Sequence, residues 1–375
     1  MTEDQYSSTH PPLPPTTEET RFQWLRLLRS RRVGISTFRR LLAEHGSASA
    51  ALTALPDVAK SAGVQDYSIC QEGVIVAELK AGAAAGAVLL AQSDPDYPQA
   101  LLDLSDGPPL LWVMGRQDLL NQPTVAIVGA RNASSLGSRM AKGLATELGA
   151  DGYVVVSGLA RGVDTAAHNG ALQTRTIAVM AGGVDCIYRS ENTEFARKIA
   201  QNGVRVSEQP IGAQPQARHF PSRNRIISGL AQTVVVVEAA AKSGSLITAR
   251  NALDQGRDVC AVRGHPFDAR ASGCNMLIRD GATLARSGAD VLETIRPAPT
   301  PQLELPPQSE LRSLSETAAL HSEILNRLGP SPLAEDQLIR DLKSAAAIVT
   351  PALTDLEIEG KVTRQSGGLI ALSVQ

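Results

Sequence analysis

Aromatic side chains make up 3% of the 375 residues, and only four cysteines are present, Cys70, Cys186, Cys260 and Cys274. Their scatter gives neither the paired spacing of a zinc site nor a disulfide framework, so a reducing, cytoplasmic setting is expected. No window approaches the ~20 apolar residues of a membrane span. The start, Met1 to Thr20, is polar and proline-rich where a signal peptide would be basic and then apolar, and reads as a disordered tail over 1–19. No Gly-x-x-x-x-Gly-Lys-Ser/Thr loop for nucleoside triphosphates occurs, and the first strand-end loop lacks Gly-x-Gly-x-x-Gly. Ser157 and Ser245 have no evident base in sequence context, and His219 and His265 have no second metal ligand at a useful spacing. Asp164 and His168, four apart at a helix start, read as structural, with the aspartate as an N-terminal cap. No catalytic residue, metal or cofactor is therefore expected.

Charge of one sign is also lacking overall, with a net charge of −2, but its distribution is uneven. From Arg21 to Ala43 there are seven arginines and no acid. From Val125 to Ile295 there are 19 Lys plus Arg against 14 Asp plus Glu, and from Pro301 to Gln375 the count is 6 against 10. A basic body offset by an acidic end points to a polyanionic partner for the body.

The hydrophobic content of 43% supports a buried core, and the length suggests two or three domains. Five prolines between Arg296 and Gln308 mark an extended linker, placed at 297–310. A second boundary falls near Ser93–Pro98, where alanine-rich helical sequence gives way to turns. The expected division is a helical domain at 20–91, a central domain at 92–296 and a module at 311–375. In the first, Phe22, Leu25, Leu28 and then Phe38, Leu41, Leu42 fall at helical spacing around Val33-Gly34-Ile35, resembling a helix-hairpin-helix (SAM-like) unit with Arg31 and Arg32 as its candidate DNA contacts.

In the centre, apolar runs at Val125–Val128, Val154–Val156, Ile177–Val179, Val204–Val206, Val234–Val237 and Val259–Val262 alternate with helical segments. This predicts an α/β, doubly wound, Rossmann-like domain whose ligand sits beyond the carboxyl ends of its strands. Those ends carry Gly129-Ala-Arg131-Asn132, Ser157-Gly158-Leu-Ala-Arg161-Gly162, Gly182-Gly183 and Lys242-Ser-Gly-Ser245. Glycine lets backbone amides approach phosphate, and arginine supplies charge-assisted bonds.

The run Phe220-Pro-Ser-Arg-Asn-Arg-Ile-Ile-Ser-Gly-Leu230 reads as a helix opening at Pro221, capped by Ser222 or Asn224, with Ile226, Ile227 and Leu230 anchoring it and Arg223 and Arg225 facing outwards to an anion. His219 and Phe220 suggest a stacking platform for unpaired bases.

Val125-Ala-Ile-Val-Gly-Ala-Arg131, Ser157-Gly-Leu-Ala-Arg-Gly-Val-Asp164 with His168, Phe220–Leu230, Ser243-Gly-Ser-Leu-Ile-Thr-Ala249 and Gly273-Cys-Asn275 together closely resemble the DNA-processing protein A family (DprA, also called Smf). The resemblance implies a non-enzymatic, dimeric protein that binds and protects incoming single-stranded DNA and helps load the recombinase RecA during natural transformation, with a possible share in repair. It places Arg131 and Arg218 in the DNA site, with Gly129, Ser157, Gly158, Arg161, Phe220, Arg223, Asn224 and Lys242 around them. Arg223 and Arg225 could alternatively brace the loops. Ala130 departs from the usual Ser or Thr and removes one hydroxyl contact. The implied dimer surface draws on Met276, Leu277, Ile278 and Leu284.

The last region reads as three helices and a hairpin returning across Gly367-Gly368, a winged-helix-like module. Its third helix carries Asp355, Glu357 and Glu359, which would repel duplex DNA, so protein contact is expected of it. The alternative for the whole chain is a nucleotide-acting hydrolase of the lysine-decarboxylase-like group, suggested by Val-Val-Val-Glu238 ahead of Ser-Gly-Ser, although the paired arginine and glutamate motif of that group is not intact.

Overall fold

The computed structural model describes residues 17–187, 193–295, 314–329 and 331–373. The expected linker at 297–310 lies outside them, as does the expected tail except for its last residues. The chain divides into two compact units, 1–298 and 299–375, and each is described by itself.

The first unit opens with α1 (Glu18–Arg29), α2 (Ile35–His45), α3 (Ala48–Ser61) and α4 (Glu72–Ala84). Thr17 and Ser47 cap α1 and α3 by accepting from Thr20 N and Ala50 N. Gly46, at φ 74°, ends α2. Trp24 and Phe38 meet edge to face at 5.5 Å in the buried centre of this bundle. Arg31 and Arg32 are exposed at the turn between α1 and α2.

The chain continues through β1 (Val88–Ala91), β2 (Leu110–Gly115), β3 (Thr124–Val128), α5 (Ser135–Ala150), β4 (Val154–Ser157), α6 (Val163–Ala171), β5 (Thr176–Val179), α7 (Thr193–Asn202) and β6 (Val204–Ser207). It then forms α8 (His219–Leu230), β7 (Thr233–Val236), α9 (Gly244–Asp254), β8 (Asp258–Ala261), α10 (Ser272–Arg279), β9 (Thr283–Leu284) and α11 (Gly288–Ile295). The strand order is β1-β2-β6-β5-β4-β3-β7-β8-β9, parallel except for the β1–β2 and β2–β6 pairings. Alternate residues supply two cores: Ala126, Val128, Val154, Val156, Val234 and Val236 point to one face, and Val125, Ile127, Val155 and Val235 to the other. Strands covered on both faces are why these runs are continuously apolar.

Two features correct the sequence reading. β1 belongs to the sheet, so the boundary at 91/92 falls at its end and leaves it on the helical side, apart from its partner β2, which extends the same antiparallel edge. Both are short apolar runs, and a four-residue run at the end of an alanine-rich helix carries no periodicity of its own. Glu78 of α4 joins the bundle to the sheet by accepting from the Trp112 indole at 2.9 Å and from both ends of the Arg29 guanidinium at 2.9 Å.

The second unit is a winged helix: α12 (Leu314–Arg327), β10 (Leu333–Ala334), α13 (Glu335–Leu342), α14 (Ala346–Ile358), then β11 (Val362–Gln365) and β12 (Leu369–Leu372), with β12 central in its sheet. Asp355, Glu357 and Glu359 are exposed on and just after α14; Arg364 bridges Glu335 and Glu357 at 3.1 and 3.3 Å, and Lys361 pairs with Glu359. No described helix is long and apolar enough to cross a membrane.

Candidate nucleic-acid interface

Strand order reverses between β3 and β7, and there the connections leave the carboxyl ends in opposite directions and open a crevice. Its floor is built by loops that lock one another. Ser134 caps α5 by accepting from Gly137 N, while Glu238 after β7 accepts from Ser134 N at 2.9 Å and from Ser134 Oγ at 2.5 Å. The Glu238 carboxylate on which the hydrolase alternative leaned is thus engaged in holding α5. A Cβ on Gly129 would lie 2.7 Å from Val163, so this glycine serves loop packing as well as any ligand.

Ser157 is a correction. Its side chain is fully buried and its hydroxyl donates to Ile127 O at 2.7 Å, because the last residue of β4 points into the sheet layer rather than out of the crevice. Asp164 closes the next turn by accepting from Gly158 N and Ala160 N at 3.2 and 3.3 Å; burial pushes its pKa up, and the nearby Arg223 charge works against that rise.

His168 is fully buried, and burial pushes its pKa down to about 3. Leu159 N–H can only donate, so Nε2 accepts and Nδ1–H donates to Thr176 Oγ1 at 2.7 Å, leaving the threonine proton for Val155 O at 2.7 Å. This neutral relay has a linkage consequence. The unfolded chain takes up a proton near pH 6.5 and the folded chain only near pH 3, so stability is full above pH 6.5 and falls with acidification. In urea titrations, the advantage of the native chain over His168→Gln is expected to shrink by about 2 kcal/mol between pH 7.5 and pH 5. A gap independent of pH would remove His168 from this role.

Helix α8 begins at His219, two residues before the expected Pro221, and buries both arginines expected to face outwards. Arg223 is 6% exposed and donates from one guanidinium nitrogen to Gly158 O at 2.5 Å and to Val179 O at 2.7 Å, with Nε on Asn224 Oδ1 at 3.2 Å. It thereby ties the ends of β4 and β5 to α8, and burial lowers its pKa to about 10. Gly158 is required beside it, since a Cβ there would lie 2.1 Å from the guanidinium. Arg225 pairs with Glu208 after β6 and with Asp106 at 3.4 Å. The reason is positional: carbonyls at the strand ends and Glu208 lie beside the first turns of α8 and draw the two cations inwards.

What remains exposed is a basic rim. Arg131 lies over the Phe220 ring with its guanidinium carbon 4.7 Å from the centroid. The pair borders two clefts. The larger, about 580 Å³, is lined by Gly129–Asn132, Arg223, Asn224, Ser243–Ser245 and Arg270; the smaller, about 130 Å³, by Gly158–Arg161, Gly182 and Pro215. Arg161, Arg218 and Lys242 are exposed, but Arg218 and Lys242 line neither cleft. Asn224 donates to Gly244 O at 3.3 Å, and Ser243 and Ser245 share a hydrogen bond of 2.6 Å where α9 starts. The first amides of α9 therefore open towards the larger cleft, an arrangement suited to an anion.

Sequence reasoning places Asn132 in the first strand-end loop without assigning it to the site, and it passes over Arg270. Arg270 follows the sixth parallel strand, β8, so the same inspection of strand ends, continued by one strand, would have found it. Of the residues expected at a dimer surface, Leu277 and Ile278 pack partly against the sheet core, Met276 is half-buried and Leu284 is 38% exposed.

Family models place this chain among known proteins. Residues 88–296 match the model for DNA recombination-mediator protein A, residues 18–81 a DprA-like N-terminal HHH domain, and residues 306–368 a DprA winged helix domain. Protein Smf of Synechocystis is 34% identical over 311 residues, covering 74% of this chain and 78% of its own. The crystal structure of DNA processing protein A from Streptococcus pneumoniae is 35% identical with a TM-score of 0.61, over 74% of this chain and 98% of that one. DNA processing protein A from Helicobacter pylori, described for its single-stranded DNA binding mode, is 31% identical with a TM-score of 0.51, over 56% and 95%.

Proposed function

Because this chain belongs to the DNA recombination-mediator protein A family, we propose that it binds and shields single-stranded DNA at the carboxyl edge of its sheet and helps load RecA onto it. The observation that carries the reading is the Arg131–Phe220 pair at the border of both clefts, which offers a phosphate-binding cation beside an aromatic face. Around it, Gly129, Gly158, Arg161, Asn224 and Lys242 are assigned to the DNA path, with Arg218 at its approach; Arg223 braces the path from beneath. The protein acts without a catalytic step, in the cytoplasm, during natural transformation and in repair, as a homodimer through Met276, Leu277, Ile278 and Leu284. The winged helix serves protein contact, since its third helix presents carboxylates where a duplex would need cations.

Titrating labelled oligothymidylate and a duplex of equal length tests this. The single strand is expected to bind at least tenfold more tightly, with affinity falling steeply as salt rises. Preference for the duplex would overturn the pocket, and release of free base from nucleoside monophosphates would reinstate the hydrolase.

A further inference from the structure

A third cleft, of about 580 Å³, adjoins the larger one through shared stretches of chain. Asn132 lines the first and Ser134 the second, while Ala269 and Arg270 face the first and Asp268 and Ala271 the second. The loop leaving β8 between them carries Phe267, whose side chain is 95% exposed, more than any other large apolar side chain among the described residues. A lone exposed ring is by itself ordinary; this one lies in a chain with 3% aromatics, beside a second ring and a cleft edged by two arginines.

The loop is also tied down. Asp268 N donates to His265 O at 2.9 Å, Asp268 takes the Arg270 guanidinium at 3.0 and 2.9 Å, and Ala239 N reaches back to Arg270 O at 2.7 Å. Asn275 exchanges hydrogen bonds with both backbone groups of Gly264 at 3.3 and 3.1 Å. His265 stands 5.5 Å from the Phe267 ring at a tilt of 38°. Arg139 and Arg263 are exposed on the cleft and form no ion pair among the described residues, whereas its two carboxylates, Glu238 and Asp268, are engaged by Ser134 and Arg270.

We propose that His265 and Phe267 form a second base-stacking platform, with Arg139 and Arg263 as its phosphate-binding wall, which carries the single strand beyond the Arg131–Phe220 pair. The proposal rests on the reading of the first site as a single-strand site. It makes the path longer than the first two clefts, with aromatic contacts at two stations and stacking without sequence readout at each.

Fluorescence anisotropy with 6-mer and 20-mer oligothymidylate separates the two readings. Phe267→Ala is expected to weaken binding of the 20-mer about tenfold, to leave the 6-mer unchanged and to keep the salt dependence, with Phe267→Trp restoring affinity. Arg139→Gln with Arg263→Gln should instead reduce the logarithmic salt slope for the 20-mer by about 1.4. If Phe267→Ala binds the 20-mer like the native chain while Arg131→Ala loses affinity, the second platform is wrong and the first site stands. If Arg131→Ala binds both lengths normally, the underlying reading falls. Dissociation of a dimer by Phe267→Ala in sedimentation would assign the ring to contact between copies and overturn the proposal. With the ring almost wholly in water, neither substitution at this position threatens folding.

Discussion

Replacing Arg223 by alanine is expected to lower the stability of the 17–295 unit by about 3 to 5 kcal/mol, the largest effect of any single change at the site. The substitution leaves the Gly158 and Val179 carbonyls without their donor, opens a space where a guanidinium was packed, and removes the positive charge that eases the burial of Asp164. Urea unfolding should show a lower midpoint at unchanged slope. Arg223→Lys should recover little, because an ammonium on a flexible stem does not reproduce a planar group wedged between two strand ends and α8. DNA affinity should fall too, through slackened loops. A variant within about 0.5 kcal/mol of the native stability would show that the carbonyls find other donors and that Arg223 is not the brace.

The second large effect is on binding. Arg131→Ala is expected to weaken single-strand affinity by one to two orders of magnitude at moderate salt and to lower the logarithmic salt slope by about 0.7, one phosphate contact on a single strand. Phe220→Ala should cost about tenfold with the slope intact. The two losses should not add. The guanidinium stands 4.7 Å over the ring, so removing either partner loosens the other, and a double-mutant cycle should return a coupling of about 1 kcal/mol. Strict additivity would mean that the pair does not act together on the strand.

How much of this is legible in the sequence differs by element. Six of the seven parallel strands are, because valine-rich runs bounded by glycine have few other readings; the seventh, the two-residue β9, is not. β1 and β2 are not: their pairing with each other and with β6 is a tertiary choice, and Val88–Ala91 looks like the end of the helix before it. At α8 the apolar positions give the helix, but the side its arginines take depends on where the β4 and β5 carbonyls lie, which no periodicity encodes. Ser157 shows the same limit at smaller scale, since one residue along a strand decides between crevice and layer. Arg131 and Phe220 are far apart in the chain, and their stacking follows only from the fold that joins the β3 loop to the start of α8.

The position of β2 in the sheet sets an order of events during synthesis. Its partner β6 begins only at Val204, so when β1 and β2 leave the ribosome one edge of the pair has nothing to bond. Leu89, Ala91, Leu110 and Trp112 already share a buried cluster with α1, α2 and α3, however, and Trp112 is bonded to Glu78. The helical bundle thus has what it needs to hold the nascent hairpin by one face, exposing less of it to other chains until the parallel strands arrive. On this view the bundle serves the central sheet first as a holder during translation, whatever it touches afterwards.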